Sequence, residues 1–461
     1  MPVLQFPPGF TWGVSTSSYQ VEGAVGEDGR GESIWDRFSH TPGKVRNGDT
    51  GDVATDHYHR WREDVALMAE LGVNAYRLSI AWPRLFPEGR GTLNRAGIAF
   101  YDRLIDELLE HGIQPFPTLY HWDLPQALEN RGGWLNRSTA DWFADYARTC
   151  FERLGDRVPT WFTINEPWIV GALGYYDGIH APGVRDLRAS LVAEHHVLLA
   201  HGKAVRAFRD TGRGQRIGIV LNLMPTYPAG DSEADRDAAH LSDGYTNRWF
   251  LDPVLRGSYP ADMIELYEGI VVTLDFIEEG DLTVIASPTD LLGVNYYNWR
   301  LIAAGQDREL PWVVAPAADD IPRSDGGWEI VPDRLTDLLV RLRDDYGDFP
   351  LAITENGAIY NDEPGADGRV HDLRRSRFIR DHLAAAHRAI ERGVRLEGYF
   401  HWSLMDNFEW AEGYWPRFGL VHVDWSTLRR TVKDSGRYYA SIVAENTLDP
   451  AAEEALEGVT R

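Results

Sequence analysis

Residues 160–167 read Thr160-Trp161-Phe162-Thr163-Ile164-Asn165-Glu166-Pro167. A short run of β-branched and aromatic side chains, the composition of a strand, closes on a carboxylate. The proline that follows cannot donate to a strand ladder, so the strand stops there. The same grammar recurs far along the chain. Pro350 to Thr354 is a second such run, and it leads into Glu355-Asn356-Gly357, where glycine punctuates the end. Each glutamate is therefore expected at the C-terminal tip of a buried strand.

Outward from these two runs, the chain alternates buried-strand signals with amphipathic helical ones. The strand candidates are Thr11–Ser15, Ala75–Ile80, Gln114–Tyr120, Thr160–Asn165, Arg216–Leu221, Leu291–Tyr296, Leu351–Glu355 and Leu396–Trp402. Helical patterns separate them, among them Trp61–Leu71, Ile98–His111, Thr139–Leu154, Ser190–Arg209, Pro332–Tyr346 and Arg374–Arg392. The stops Leu71-Gly72, His111-Gly112 and Arg392-Gly393 each precede the next strand, as an αβ connection requires. Eight β-then-α units predict an α/β protein of the closed (β/α)8 TIM-barrel type. In that fold the active site lies at the C-terminal ends of the strands, which is where both glutamates fall, on strands 4 and 7. No linker or composition break divides the chain, so a single catalytic domain over residues 1–461 is expected. The Gly- and Asp-rich stretches Pro228–Asp237 and Ala303–Gly327 read as long βα loops walling the site.

Composition narrows the chemistry. Seventy acids against 46 bases give a net charge of -24, which disfavours nucleic acid and anionic membranes as partners. The 17 tryptophans include several beside polar residues in loop-like contexts: His121-Trp122-Asp123, Glu166-Pro167-Trp168, His401-Trp402 and Glu409-Trp410. A ring next to hydrogen-bonding groups suits a ligand with an apolar CH face and a polar edge, as a sugar has. Two carboxylates facing each other across a sugar are the machinery of glycoside hydrolysis. The single cysteine, Cys150, excludes an internal disulfide and reads as a core residue of the helix around it. The first residues lack the basic and apolar regions of a secretion signal, and no stretch approaches a membrane span, so a cytoplasmic protein is expected.

Together with Phe10-Thr11-Trp12-Gly13, Ser17 to Gly23, Ser33 to Asp36, His121 to Pro125, Asn295-Tyr296-Tyr297 and Trp402 to Trp410, the two glutamate strings resemble glycoside hydrolase family 1, the retaining β-glucosidase family. The resemblance covers nearly the whole chain. It implies Glu355 as the nucleophile and Glu166 as the general acid, then base. It implies Arg77 beside Glu355 and a hydrogen bond to Glu355 from Tyr297. It implies a glycone pocket of Gln20, His121, Trp122, Asn165, Asn295, Tyr297, Trp402, Glu409 and Trp410, with Trp168 and Trp328 on the leaving-group side. Asn165 would meet the sugar 2-OH, and Gln20 with Glu409 would grip adjacent hydroxyls.

The implied activity is release of terminal β-glucosyl residues from short oligosaccharides and aryl or alkyl glucosides, with side activity on β-galactosides and β-fucosides. No cofactor and no metal are implied, and the oligomeric state stays open. Glu409 argues against substrates phosphorylated at C6, since family members acting on those use a serine and a lysine there. Arg334 and Val14-Ser15 depart from the family's usual residues.

Other constellations read as structural. Asp56-His57-Tyr58-His59 and Glu194-His195-His196 with His201 lack metal-site spacing. Gly212-Arg213-Gly214 lacks the lysine of a phosphate loop. A non-catalytic sugar-binding barrel would lack one of the two glutamates. An aldolase or metal-dependent isomerase would need a strand-end lysine or a metal cluster.

Overall fold

All eight expected strands form. In the computed structural model, which describes residues 2–271 and 273–451, they are β1 (Thr11–Ser15), β2 (Ala75–Ser79), β3 (Gln114–Tyr120), β4 (Thr160–Asn165), β5 (Arg216–Asn222), β6 (Leu291–Asn295), β7 (Leu351–Asn356) and β8 (Leu396–Trp402). Each pairs in parallel with its neighbour in sequence, and β8 pairs with β1, which closes the barrel. Residue 1, residue 272 and residues 452–461 of the expected domain lie outside the described residues.

Helices wrap this barrel because their apolar residues recur at helical spacing. In Arg95–Glu110 the buried positions are Gly97, Phe100, Tyr101, Leu104, Ile105 and Leu108, a single stripe facing the strands. Asn94 starts that helix by accepting a hydrogen bond from the Ala96 N–H at 3.2 Å, satisfying one of the orphan donors of the first turn. Gly112 ends it with φ of 72°, a left-handed conformation open to glycine at little cost. Inside the barrel, Ala75, Phe116, Phe162, Val220, Leu291 and Phe400 form a separate apolar plug. Gly13 makes room for it, since a Cβ there would sit 2.2 Å from Phe400 Cδ1. The plug fills the middle of the barrel and leaves chemistry to the strand tips.

The two ends of the described chain meet. Leu4–Gln5 pairs antiparallel with Thr447–Leu448, and Trp12 Nε1 donates to Asn446 Oδ1 at 2.8 Å. Among the described residues no helix is long and apolar enough to cross a membrane.

The two expected loops have more structure than their composition suggested. Glu233–Asp243 is a helix, capped by Ser232, whose hydroxyl accepts from the Asp235 N–H at 3.0 Å. Arg300–Asp307 and Leu310–Ala315 form an antiparallel hairpin, and Thr226–Pro228 adds a third strand beside it. The Ser-x-x-Asp cap signal lay in the sequence. The strand pairing depends on two segments more than seventy residues apart.

The histidine constellations are tied into local hydrogen bonds. His57 meets Asp64 at 2.7 Å and His59 meets Asp56 and Glu27. His195 bridges Tyr259 and Asp281, and His201 meets the Thr163 hydroxyl at 2.7 Å. Cys150 is buried in the helix Ser138–Leu154, and burial raises its thiol pKa.

Candidate active site

Glu166 is the first residue past β4, and Glu355 is the penultimate residue of β7. The barrel register puts them on one rim: Glu355 is level with Asn295 of β6, and Asn222 of β5 is level with Asn295 too. Both glutamates line a cavity of about 470 Å³ at the C-terminal ends of the strands.

The two carboxylates are held very differently. Both oxygens of Glu355 accept strong donors: Arg77 Nη1 at 2.5 Å on one, the Tyr297 hydroxyl at 2.7 Å on the other. Arg77, fully buried in the middle of β2, also donates to Asn165 Oδ1 at 2.7 Å and Thr118 Oγ1 at 3.2 Å. A guanidinium offers several donors in a rigid fork, so one side chain fixes both strand tips. Tyr297 stays a donor because burial, with the charge on Glu355, raises its hydroxyl pKa.

Among the described residues no cation contacts Glu166. Its Oε1 accepts from Asn295 Nδ2 at 2.7 Å. The Asn295 amide is oriented by Thr354, whose hydroxyl donates to Asn295 Oδ1 at 2.7 Å, so the NH2 end must face Glu166. Burial and then the Glu355 charge raise the Glu166 pKa well above the carboxylate range, and the Asn295 hydrogen bond only partly offsets them. Two carboxyl groups with environments pushed apart in this way make one an anion and the other a proton donor.

Aromatic rings and one further acid build the rest of the wall. His121, Trp122, Trp168, Asn295, Tyr297, Trp328, Trp402, Glu409 and Trp410 all border the cavity with the two glutamates. His121 lies between the rings of Trp402 and Trp410, with centroids at 5.8 and 6.0 Å and near-parallel planes. Burial, and then the Arg77 charge, lowers the His121 pKa, so the ring is neutral. Burial, followed by the Glu355 charge, pushes Glu409 up to about 8.

Three expected site residues stand one layer behind this wall, and all three are fully buried. Arg77 acts on Glu355. Asn165 takes bonds from Arg77 and Asn295 on its oxygen and faces His121 Nε2 with its nitrogen at 3.1 Å. Gln20 donates to Glu409 Oε2 at 3.1 Å, to the Phe408 carbonyl at 2.9 Å and to Asn407 Oδ1 at 3.0 Å, while its own oxygen accepts from Ser17. The sequence reading did not single out Asn222, His180, Ile179, Arg300 or Glu412, which also line the cavity. Only Asn222 carried a positional signal, as the end of β5.

The chain is similar to known proteins along nearly its whole length. The sequence model described as glycosyl hydrolase family 1 matches residues 3–448. Beta-glucosidase A of Acetivibrio thermocellus is 50% identical over 447 residues, spanning 97% of this chain and all of that protein. The bifunctional beta-D-glucosidase/beta-D-fucosidase of Bifidobacterium breve is 46% identical, covering 96% of this chain and 99% of the relative. A solved structure of a family 1 b-glucosidase from Thermotoga maritima, in complex with isofagomine lactam, superposes with a TM-score of 0.93 at 48% identity, over 97% of this chain and 100% of that one.

Proposed function

The chain belongs to glycosyl hydrolase family 1, and we propose that it hydrolyses β-glucosides through Glu355 as nucleophile and Glu166 as proton carrier. It is a retaining β-glucosidase. The observation that carries the residue assignment is the asymmetry of the two glutamates. Glu355 is gripped on both oxygens by Arg77 and Tyr297, whereas Glu166 meets an amide and has its pKa raised.

Retention requires two displacements with the carboxylates ~5 Å apart. In the first, a Glu355 oxygen attacks the anomeric carbon. Glu166 passes its proton to the departing glycosidic oxygen, and the C–O bond to the aglycone breaks. The sugar is then an ester of Glu355, and the negative charge beside Glu166 is gone. Loss of that charge removes one of the effects raising the Glu166 pKa, so Glu166 ionises more readily. It can now take a proton from water, whose oxygen attacks the anomeric carbon and frees Glu355. Arg77 and Tyr297 disperse charge on Glu355 while it waits and hold its leaving oxygen in the second step.

In this reading Trp402 is the platform for the glucosyl ring. His121, Trp122, Asn295, Glu409 and Trp410 contact its hydroxyls and edges. Asn165 and Gln20 reach it from behind the wall by exchanging one protein partner each for a hydroxyl. Trp168 and Trp328 flank the leaving group. We also propose β-fucosides and β-galactosides as side substrates; the Bifidobacterium breve relative described as a bifunctional beta-D-glucosidase/beta-D-fucosidase supports the first. We take residues 1–461 as one catalytic domain and the enzyme as cytoplasmic. Cell fractionation checks the location, and activity confined to the exterior fraction would overturn it.

The deciding experiment for the roles is trapping with a fluorinated mechanism-based glucoside, followed by peptide mapping. The adduct is expected on Glu355. An adduct on Glu166 would reverse the assignment.

A further inference from the structure

Arginines buried in this protein come with carboxylates. Arg77 faces Glu355, Arg84 faces Glu22 and Arg375 faces Asp372, each within 3.0 Å. Arg300, half-buried at the cavity wall, has no such partner. It opens the strand Arg300–Asp307, its backbone fixed by a 2.9 Å bond to the Pro225 carbonyl, and its side chain lines the active-site cavity. Its guanidinium carbon stands 5.1 Å over the Trp168 ring, and its one side-chain hydrogen bond is a long one, 3.4 Å, to the Thr246 hydroxyl. Among the described residues no carboxylate lies within salt-bridge distance of it. Burial lowers its pKa, with the nearby Tyr245 and Asp177 opposing that.

Among the described residues lining this cavity Arg300 is the only arginine or lysine, against Glu166, Glu355, Glu409 and Glu412. His121 and His180 also line it and are held neutral by burial. A half-buried cation with no carboxylate in contact is poorly compensated, since Asp177 acts on it only from a distance. Its place is informative: Trp168 follows Glu166 by two residues, on the side where the leaving group departs. A flat ring with a guanidinium over it matches an aromatic group that carries an anion.

We propose that Arg300, together with the Trp168 ring, forms an anion-accepting part of the leaving-group subsite, selecting β-glucosides of aromatic carboxylic acids. This rests on the β-glucosidase reading and adds the substrate class. The aryl ring stacks against Trp168, and the carboxylate supplies the counter-charge that the protein withholds. Without Arg300 the described lining would offer such a substrate no arginine or lysine, and the Glu355 charge would repel it.

The test compares para-(carboxyethyl)phenyl β-glucoside with its N-methyl amide. The methylene groups insulate the phenol, so the two leaving groups match in acidity and differ in charge. For the natural enzyme, kcat/KM is expected to be higher for the acid, and added salt should narrow the gap. Arg300→Met should lower the acid-to-amide ratio about tenfold, the scale of one charge-assisted hydrogen bond. Arg300→Lys should give an intermediate ratio. An unchanged ratio in Arg300→Met, or a natural enzyme that prefers the amide, overturns the proposal. Should the methionine variant fail to fold, inhibition of the natural enzyme by the free phenolic acid and by its amide decides the matter: stronger inhibition by the acid supports the site, and equal inhibition removes it. Failure of the β-glucosidase reading would look different, because neither glycoside would be cleaved.

Discussion

Glu409→Gln should make the protein more stable in alkali, at the expense of its sugar pocket. Burial and the Glu355 charge raise Glu409 from 4.5 to about 8. The folded protein therefore keeps this proton up to about pH 8, while the unfolded chain releases it near 4.5. The stability that this proton contributes is fully present below about pH 4.5 and is lost as pH rises through about 8. At ~1.4 kcal/mol per unit, the full displacement is worth about 5 kcal/mol. Glu409 is only partly covered, bordering an open cavity, and water screens it, so about 2–3 kcal/mol is the expected size.

Glutamine keeps the shape and can still accept from Gln20, but it does not titrate. Guanidinium unfolding of both proteins at pH 5 and pH 9 reads the effect. Between those two pH values, the natural protein should lose about 2–3 kcal/mol more than the variant. Glu166 is raised in the same sense, in part by the Glu409 charge, so its easing in the variant adds to the difference in the same direction. Parallel pH dependences would refute the reasoning, since they would mean that Glu409 ionises alike in the folded and unfolded chains.

Further outcomes follow from the same geometry. Glu166→Ala should keep the first step with dinitrophenyl glucoside, which needs no proton, and azide should speed release of the stalled sugar; a variant indifferent to azide and equally slow on all leaving groups would count against Glu166 as the acid. For natural substrates kcat/KM should fall as pH rises through the raised Glu166 pKa, whereas that limb should vanish for dinitrophenyl glucoside, as paired pH profiles would show. Tyr297→Phe removes one of the two grips on Glu355 and should cut kcat/KM by roughly 10–150-fold, the value of about 1.5–3 kcal/mol for a hydrogen bond to a charged group; steady-state kinetics within twofold of the natural enzyme would remove Tyr297 from the mechanism. Nitrophenyl β-glucoside should be preferred at least ~100-fold over its C6 phosphate, because Glu409 would meet the dianion as a like charge or as a buried group with no cation to offer; equal turnover would mean that Glu409 is not at the far rim of the ring.

The strands were legible because each is a short apolar or β-branched run bounded by glycine or proline, and a barrel buries both faces of such runs. The carboxylates were legible because a strand tip is a fixed place in this fold. What the sequence hid has a common cause: it depends on where separate loops meet. Arg300 carried no signal in the sequence, and it is strand pairing with Thr226–Pro228 and Leu310–Ala315 that sets it at the cavity. Lys433 and Arg417 neutralise Asp406 at 2.8 Å each, a buried network that no spacing announces. Gln20 could be matched to a string, but nothing in that string says that its amide is already engaged by Asn407, Phe408 and Glu409.

Backbone strain ties these observations together. Glu166, Trp122 and Trp410 have φ of 51°, 77° and 52°, a left-handed region that costs a non-glycine residue about 1–3 kcal/mol. Glycine would relieve that cost at each position and would remove the side chain the cavity uses. The three residues follow strand tips or lie in the loop after β8, so the turn that leaves each strand can point a side chain inward across the rim and not along it. The surroundings enforce this. The Glu166 N–H is bound by the Val220 carbonyl at 2.9 Å, and Trp122 Nε1 by the Asn165 carbonyl at 2.9 Å. A rigid barrel supplies the stability, and the strained turns at its mouth convert part of it into aim. The elements that place Glu166 as proton carrier are thus β4, the β5 carbonyl that locks the turn, and the Asn295 amide that Thr354 orients.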